Sequence, residues 1–370
     1  MPFTLFTQFA QFAPFAQPAG GPRPMPSDTR PAPAGAGRTA RRGARALAVA
    51  GAAALLLGAC AAESTPEPAG ADGTPAAGSG AADDGRSAAD ITVEPIEPAR
   101  EITDVRGTTV ATDAEPERIV CLVALCDDIL TELGIVPVAT NSELLAHPDF
   151  LGPEAAAEVP IVPGGFIAPE PEAILSHRPD LVIGLEDTHG RLAPSLEDAT
   201  VFWTVQPESW EDSVAYLRDL AALTGRTEEA EEAELAFRTR LAGAEAEPSD
   251  RTALIIYGSD ENFGVATPGT DVAAGLFPGI AHYPWESRGV EGTYSLEEIL
   301  AEDVDVLFVE TLSFGGDAAP LSEVFAGNPL WESLTAVREG EVHEVDPEVW
   351  AKGRGTRSLG IVLDEATAIL

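Results

Sequence analysis

The sequence predicts an α/β protein of two lobes with mainly parallel sheets, joined by a single long connecting α-helix. Three observations carry this. Beyond Glu101, short apolar runs alternate with helical patterns; a charged stretch of helical period divides that alternation in two; and one helix–strand unit recurs on either side of it. Nearly continuous apolar runs separated by amphipathic helices are what strands buried on both faces of a parallel sheet look like.

In chain order, strands are expected at 119–123, 136–139, 181–184 and 201–205, then at 254–257, 306–309 and 341–345. Between the two sets, 227–247 reads as the connector. Ala233, Ala236, Phe237, Leu241 and Ala244 fall on one helical stripe. Glu228, Glu229, Glu231 and Glu232 crowd its start and Arg238 and Arg240 lie towards its end, as the helix dipole favours. About 20 residues at ~1.5 Å each make a rod of ~30 Å, a stiff connector rather than a floppy hinge. The expected plan is a first lobe over 91–226, a connector over 227–248 and a second lobe over 249–370.

The recurrence is specific. Glu172-Ala-Ile-Leu175 is followed, eight residues after Glu172, by Asp180-Leu-Val-Ile183, and Glu297-Glu-Ile-Leu300 is followed at the same spacing by Asp305-Val-Leu-Phe308. Each unit is a short helix feeding a buried strand. Glu172 and Glu297 therefore belong at equivalent places on the two lobes, either as paired recognition carboxylates or as ordinary solvated first-turn residues.

Ahead of the body lies an address. Arg38, Arg41, Arg42 and Arg45 precede an uncharged run over 46–57, and Leu57-Gly58-Ala59-Cys60 follows. A positive region, an apolar core and a small-residue cleavage site make a secretory signal over 1–59. It resembles a bacterial lipoprotein signal, in which Cys60 would be lipidated and become the new N-terminus. The apolar run is shorter and more alanine-rich than the ~20 residues a membrane-spanning helix needs. Phe3, Phe6, Phe9, Phe12 and Phe15 recur with period three, which fits neither helix nor strand, so Met25 is an alternative start. Arg41-Arg42 is a weak hint of twin-arginine export. Residues 61–90 are 23 of 30 Ala, Gly, Pro, Ser or Thr, the composition of a disordered tether.

Charge narrows the function. The 370 residues carry 61 acidic and 22 basic side chains, a formal −39, and only Lys352 of the basic ones is lysine. Cleavage ahead of Cys60 would leave 60 acidic against 16 basic residues, or −44. So acidic a chain lacks the basic face that nucleic acid or an anionic membrane surface requires. Three cysteines exclude a disulfide-dense scaffold. Cys121 and Cys126, the two beyond the signal, either pair outside the cell or remain buried thiols. No G-x-S-x-G elbow, H-E-x-x-H helix or phosphate-binding loop occurs, and Gly353-x-Gly355 lacks the third glycine of a dinucleotide loop.

From Ile102 to Leu370 the chain resembles the substrate-binding lipoproteins of ABC importers for ferric siderophores, haem or cobalamin. The resemblance rests on Pro116-Glu-Arg-Ile-Val120 running to Leu133-Gly134-Ile-Val-Pro-Val138, and on Pro171-Glu-Ala-Ile-Leu175 with Arg178-Pro-Asp-Leu-Val-Ile183. Ser295-Leu-Glu-Glu-Ile-Leu300, Asn328-Pro-Leu-Trp331, Val337-Arg-Glu-Gly340 and the run 342–346 complete it. It implies two α/β lobes joined by one long helix, with a ligand cleft between them. It also implies that Glu172 and Glu297 dock onto arginines of the permease, as charge-assisted forks at a fixed span. The chain departs from the family at Leu125-Cys126-Asp127-Asp128, where Ser, Thr and Pro are usual, although Asp127 can still cap the following helix.

Open α/β sheets bind ligands beyond the carboxyl ends of their strands. The candidate ligand contacts are Phe166, His189 and Arg191 on the first lobe, and Tyr257, Phe263, Trp285, Arg288, Phe314, Trp350, Arg354 and Arg357 on the second. Arginine forks suit the oxygens of carboxylate, catecholate or hydroxamate chelators, and aromatic rings cover a ligand's apolar rim. Alternatively, Arg354 and Arg357 merely balance Glu348 and Asp364. Bare-metal transport is disfavoured, because of five histidines only His189 and His282 fall in cleft loops. Haem would draw on His189, His282, Tyr283 or Tyr257. The resemblance implies a monomer without catalysis or cofactor, lipid-anchored outside the cell, which hands a ferric siderophore to an ABC permease. Haem or cobalamin is the alternative cargo, and a secreted lipoprotein hydrolase the reading from a different class.

Overall fold

In a computed structural model, which describes residues 91–259, 263–285, 294–312 and 319–370, the apolar runs become two four-stranded sheets. The expected signal and tether lie outside the described residues. A hairpin of β1 (Glu101–Thr103) and β2 (Thr109–Ala111) opens the body. The first sheet holds β3 (Ile119–Cys121), β4 (Ala139–Thr140), β5 (Leu181–Leu185) and β6 (Val201–Val205) in the order β4-β3-β5-β6, all parallel. The second holds β7 (Ala253–Gly258), β8 (Gly264–Val265), β9 (Val306–Thr311) and β10 (Val342–Val345) in the order β8-β7-β9-β10, with only β8 antiparallel.

The two orders are the same order: β3 matches β7, β5 matches β9 and β6 matches β10. The sequence repeat is thus one segment of a repeated half. Its helices are α2 (Pro171–Ser176) before β5 and α5 (Leu296–Glu302) before β9, both following α1 (Ala124–Glu132) in chain order. The repeat's aspartates explain its spacing. Asp180 accepts from the backbone N–H groups of Glu117 and Arg118 at 2.8 and 2.9 Å, just ahead of β3. Asp305 accepts from Thr252 N–H at 2.8 Å, just ahead of β7. Each carboxylate ties the entry of one strand to its neighbour. Arg178 and Asp303, six positions after the repeated glutamates, both sit at φ 50°, so the reversal into each strand is also shared.

Three strands are shorter than expected, β10 by its first residue only. Strand β3 stops at Cys121 because α1 begins at Ala124, and the run 136–139 reduces to β4 because Pro137 has no N–H to give a ladder. The β1–β2 hairpin and β8 were not expected from the sequence pattern.

The connector forms as α4 (Thr227–Ala246), after α3 (Trp210–Thr224). Its buried residues are Ala230, Glu234, Phe237 and Leu241, so the expected stripe is corrected: Ala236 is exposed, and a glutamate occupies the core face. Arg218 and Arg238 grip Glu234 at 2.6 and 2.7 Å, which is what makes its burial tolerable. Helix α4 packs on α3 and on α6 (Thr356–Ile369), where Arg240 passes over Gly360 so closely that a Cβ there would lie 2.2 Å from its Nη1.

The halves also meet directly. Helix α1 of the first packs on α6 and on the π-helical turn Glu348–Gly353 of the second. Asp127 does not cap α1, whose N-cap is Val123; it reaches sideways to accept from Thr140 Oγ1 (2.7 Å) and Ser142 Oγ (2.6 Å). Asp128 crosses the boundary. It accepts from the N–H groups of Arg357 (3.2 Å) and Ser358 (2.9 Å) and from the Ser358 hydroxyl, the place an N-cap side chain takes on N2 and N3. Cys121 and Cys126 form a disulfide that ties the end of β3 to the start of α1, so the open question of their pairing is answered. Glycine makes the crossing possible. At Gly355 a Cβ would lie 2.1 Å from Asp128 Oδ1, and at Gly353 2.0 Å from Ser358 Oγ.

Gly355→Ala should therefore destabilise the protein by about 2 kcal/mol or more, from overpacking together with loss of the carboxylate's donors. Urea unfolding of the variant measures this. An unchanged midpoint would remove the crossing from the set of stabilising contacts.

Candidate functional site

The carboxyl ends of the strands are the place to look. On the first half, three side chains pin one turn. Asn141, after β4, donates to the Gly165 carbonyl at 3.0 Å; His189 Nε2, after β5, donates to the Phe166 carbonyl at 2.8 Å; and Arg191 Nη2 donates to the Ile167 carbonyl. The Leu185 N–H donates to His189 Nδ1 at 2.9 Å, which fixes the tautomer with its proton on Nε2. Burial lowers the His189 pKa to about 4, helped by Arg191 and opposed by the bond to Phe166. The expectation of ligand contact by His189 is thus corrected. Its ring is buried, both nitrogens are engaged, and its task is to hold the turn. Gly184 makes room for it, since a Cβ there would lie 2.8 Å from the His189 Cβ.

The pinned turn presents Phe166, half-buried and edge-on to His189 at 5.1 Å, together with Arg191 and the 44% exposed Ile167. Ile167 was missed by sequence reasoning. The signal for it was the pair Gly164-Gly165, both at positive φ, which turns the chain outward just before it.

On the second half the candidates divide. Arg288 and Phe314 lie outside the described residues. Tyr257 packs its ring on Gly264, where a Cβ would be 2.2 Å from the Tyr257 Cζ. Phe263 lies edge-on to Phe325 at 5.3 Å. Trp285 stacks on Tyr294 at 4.8 Å and donates to Glu302 at 3.0 Å. Trp350 is corrected outright: it stacks on Phe308 at 4.9 Å, donates to Glu365 at 2.7 Å and belongs to the core of the second half. Arg357 has partners within the fold. Its guanidinium reaches the Glu132 carboxylate at 2.8 Å and the Asp149 carbonyl at 3.0 Å and covers the Phe150 ring, so it bridges the halves rather than balancing Glu348 or Asp364.

Arg354 remains. It follows the π-helical turn with φ 62°, and its Nε donates to the Ala351 carbonyl at 2.9 Å. Asp271 and Glu310 are the acids whose charge it feels. Burial raises both of them and lowers Arg354, while the opposite charges partly restore each. Asp271 also accepts from Ala274 N–H at 2.8 Å, whereas Glu310 Oε1 has no hydrogen-bond partner among the described residues. That contrast favours the protonated form for Glu310.

Glu172 and Glu297 are exposed at the second position of α2 and of α5, after Pro171 and Leu296 respectively. Among the described residues neither carboxylate has a side-chain partner. Two open hollows of about 630 and 660 Å³ lie at the amino ends of the first half's strands, by Glu115–Gly225 and by Asp180–Phe202, away from the loops just described.

A family model described as periplasmic binding protein matches residues 119–349. The chain is 26% identical over 289 residues to the probable siderophore-binding lipoprotein YfiY of Bacillus subtilis (strain 168), covering 72% of this chain and 86% of that one. It is 24% identical over 266 residues to the Fe(3+)-citrate-binding protein YfmC of the same organism, covering 70% and 82%. The crystal structure of the triscatecholate siderophore binding protein FeuA from Bacillus subtilis, complexed with ferri-bacillibactin, superposes with a TM-score of 0.60 at 20% identity, covering 73% of this chain and 97% of that one.

The buried acids set a pH dependence. Burial pushes Asp127, Asp128 and Asp219 each up to about 7. An unfolded aspartate titrates near ~3.9. Between these values the folded chain holds protons that the unfolded chain has released, so stability falls as pH rises through the window. The melting temperature should be higher at pH 5 than at pH 8 by ~5 °C or more. Circular dichroism melts at the two values decide it. A lower melting temperature at pH 5 would mean that these aspartates are ionised in the fold.

Proposed function

We propose, on the premise that the chain belongs to the periplasmic binding protein family, that it captures a ferric siderophore outside the cell and delivers it to an ABC import permease. One observation carries the choice of cargo. Two relatives matched over more than four-fifths of their own length are named for ferric citrate and for a siderophore, both ferric chelates with oxygen donors. The side chains support it: the exposed Arg191 and the buried Arg354 are cations beyond strands of the two halves, with Phe166 and Ile167 as apolar cover. Haem is less well served. His189 has both nitrogens engaged, and the Tyr283 hydroxyl already donates to the Ala266 carbonyl and accepts from Ile255 N–H.

The mechanism is binding and presentation, with no bond made or broken in the cargo. Arginine forks hold anionic chelator oxygens, and the apolar turn excludes water from one face of the complex. Glu172 and Glu297 stand at equivalent positions on the two halves, ready to meet two permease arginines at a span the body fixes. Lipidation at Cys60, with residues 61–90 as a tether, keeps the protein at the outer face of the membrane and near its permease.

Two experiments test this reading. Isothermal titration with ferric citrate, a ferric catecholate, a ferric hydroxamate, haem and cobalamin should give heat for a ferric chelate, and Arg354→Ala should weaken that binding at least ~10-fold, the loss of one charge-assisted contact. Binding of haem or cobalamin alone would overturn the cargo. Glu172→Ala with Glu297→Ala should leave chelate affinity within about twofold yet abolish uptake of radioactive iron by cells. Uptake at the parent level would remove both residues from docking.

A further inference from the structure

The segment 348–357 carries Arg354, but its own half does not hold it alone. The first amides of α6, immediately after Arg354-Gly355, have no carbonyl before them to accept, and in this fold they do not turn to water. They are capped by Asp128, which is fully buried and belongs to the opposite half. On its own side Asp128 is held by α1, whose first turn is bonded to β3 through Cys121–Cys126, while its neighbour Asp127 is tied to Thr140 and Ser142 at the end of β4. A chain of contacts therefore runs from the first sheet to the residue before α6. Arg357 adds a second crossing to Glu132, one turn beyond Asp128 on α1.

We propose that Asp128 is a positioning residue that sets the Arg354 segment, and with it the whole second half, at a fixed place relative to the first half. The long helix α4 sets the length of the body and packs on α3 and α6, but such apolar packing is non-directional and restrains rotation less than directed polar contacts do. A buried carboxylate with three directed donors closes that freedom, because any rotation strips it of partners where no water replaces them. The separation of the pinned turn from Arg354, and that of Glu172 from Glu297, then depend on this buried crossing, with the Arg357–Glu132 pair beside it. The consequence for cargo rests on the siderophore reading above. The coupling itself does not.

The test needs no ligand. In a full chain carrying Cys60→Ser, spin labels at Glu172→Cys and Glu297→Cys report the distance between halves, and labels at Glu172→Cys and Glu197→Cys report a distance within the first half. Double electron–electron resonance should give narrow distributions for both pairs in the parent. With Asp128→Ala the inter-half distribution should broaden about twofold, as a rigid pair becomes an ensemble, while the control stays narrow. Asp128→Asn, which keeps an acceptor oxygen, should recover part of the narrow distribution. An inter-half distance as narrow in Asp128→Ala as in the parent overturns the proposal, and so does equal broadening of both pairs, which would be general loosening. If Asp128→Ala fails to give a folded circular dichroism spectrum, Ser358→Ala removes one donor only, and an unchanged inter-half width there overturns it equally.

Discussion

The N-terminus of the last helix must find acceptors in a place without water, and the acceptor it finds belongs to the other half of the molecule. Much of the local sequence follows from that single requirement. Asp128 has to reach it, so α1 begins early and β3 is cut to three residues. The approach has to be close, so positions 353 and 355 are glycine. The helix that delivers the carboxylate has to stay in place, and the disulfide at its first turn does this at the cost of an unusual pair of cysteines in an otherwise cysteine-poor body. Arg357, adjacent to the capped amides, then has Glu132 within reach as a matter of helical spacing.

The repeat shows how each half is made before the two are joined. Asp180 and Asp305 bind the backbone ahead of β3 and β7, and the left-handed residues Arg178 and Asp303 turn each chain into its strand. Such a unit needs its aspartate turned back onto the backbone of the neighbouring strand's entry and leaves its glutamate outside. That is why the glutamates are left exposed in the same orientation twice. Two exposed glutamates at equivalent points are therefore a by-product of building each half around the same helix–strand joint. The halves diverge where β8 runs antiparallel and the second half gains the π-helical turn.

What was legible in the sequence follows the range of the interaction involved. Apolar runs, the helical period of the connector and the eight-residue spacing in the repeat are local, and they gave the strands, α4 and the positions of Glu172 and Glu297. Contacts across the fold were not legible. Trp350 beside two arginines reads as an aromatic wall of a site, yet Phe308, some forty residues earlier, takes it into the core. His189 reads as a cleft-loop residue, yet it ends a short helix and its partners are a backbone amide four residues back and a carbonyl in another turn. Glu234 sits on the apolar stripe of the connector because Arg218, on a different helix, reaches it. In each case the missing information was the identity of a partner distant in sequence, and polar side chains depend on such partners more than apolar ones do.

The same distinction bears on how so acidic a protein could hold the anionic chelate proposed for it. A net charge of −39 repels an anion at long range, but salt screens it beyond about 10 Å, so the outcome is set by the few groups close to the cleft. There the local balance runs against the bulk one. Asp271 and Glu310, the acids whose charge Arg354 feels, are both pushed towards their neutral forms by burial. Every proton they retain removes a negative charge beside the guanidinium. Burial lowers Arg354 as well, while the charges of Asp271 and Glu310 partly restore it, and a guanidinium is the side chain that stays protonated in proteins. Desolvation thus pushes the two acids towards neutrality, while the guanidinium keeps its charge beneath a negative exterior. On the cargo proposed above, an anionic ferric complex would meet such a group without any basic surface to announce it.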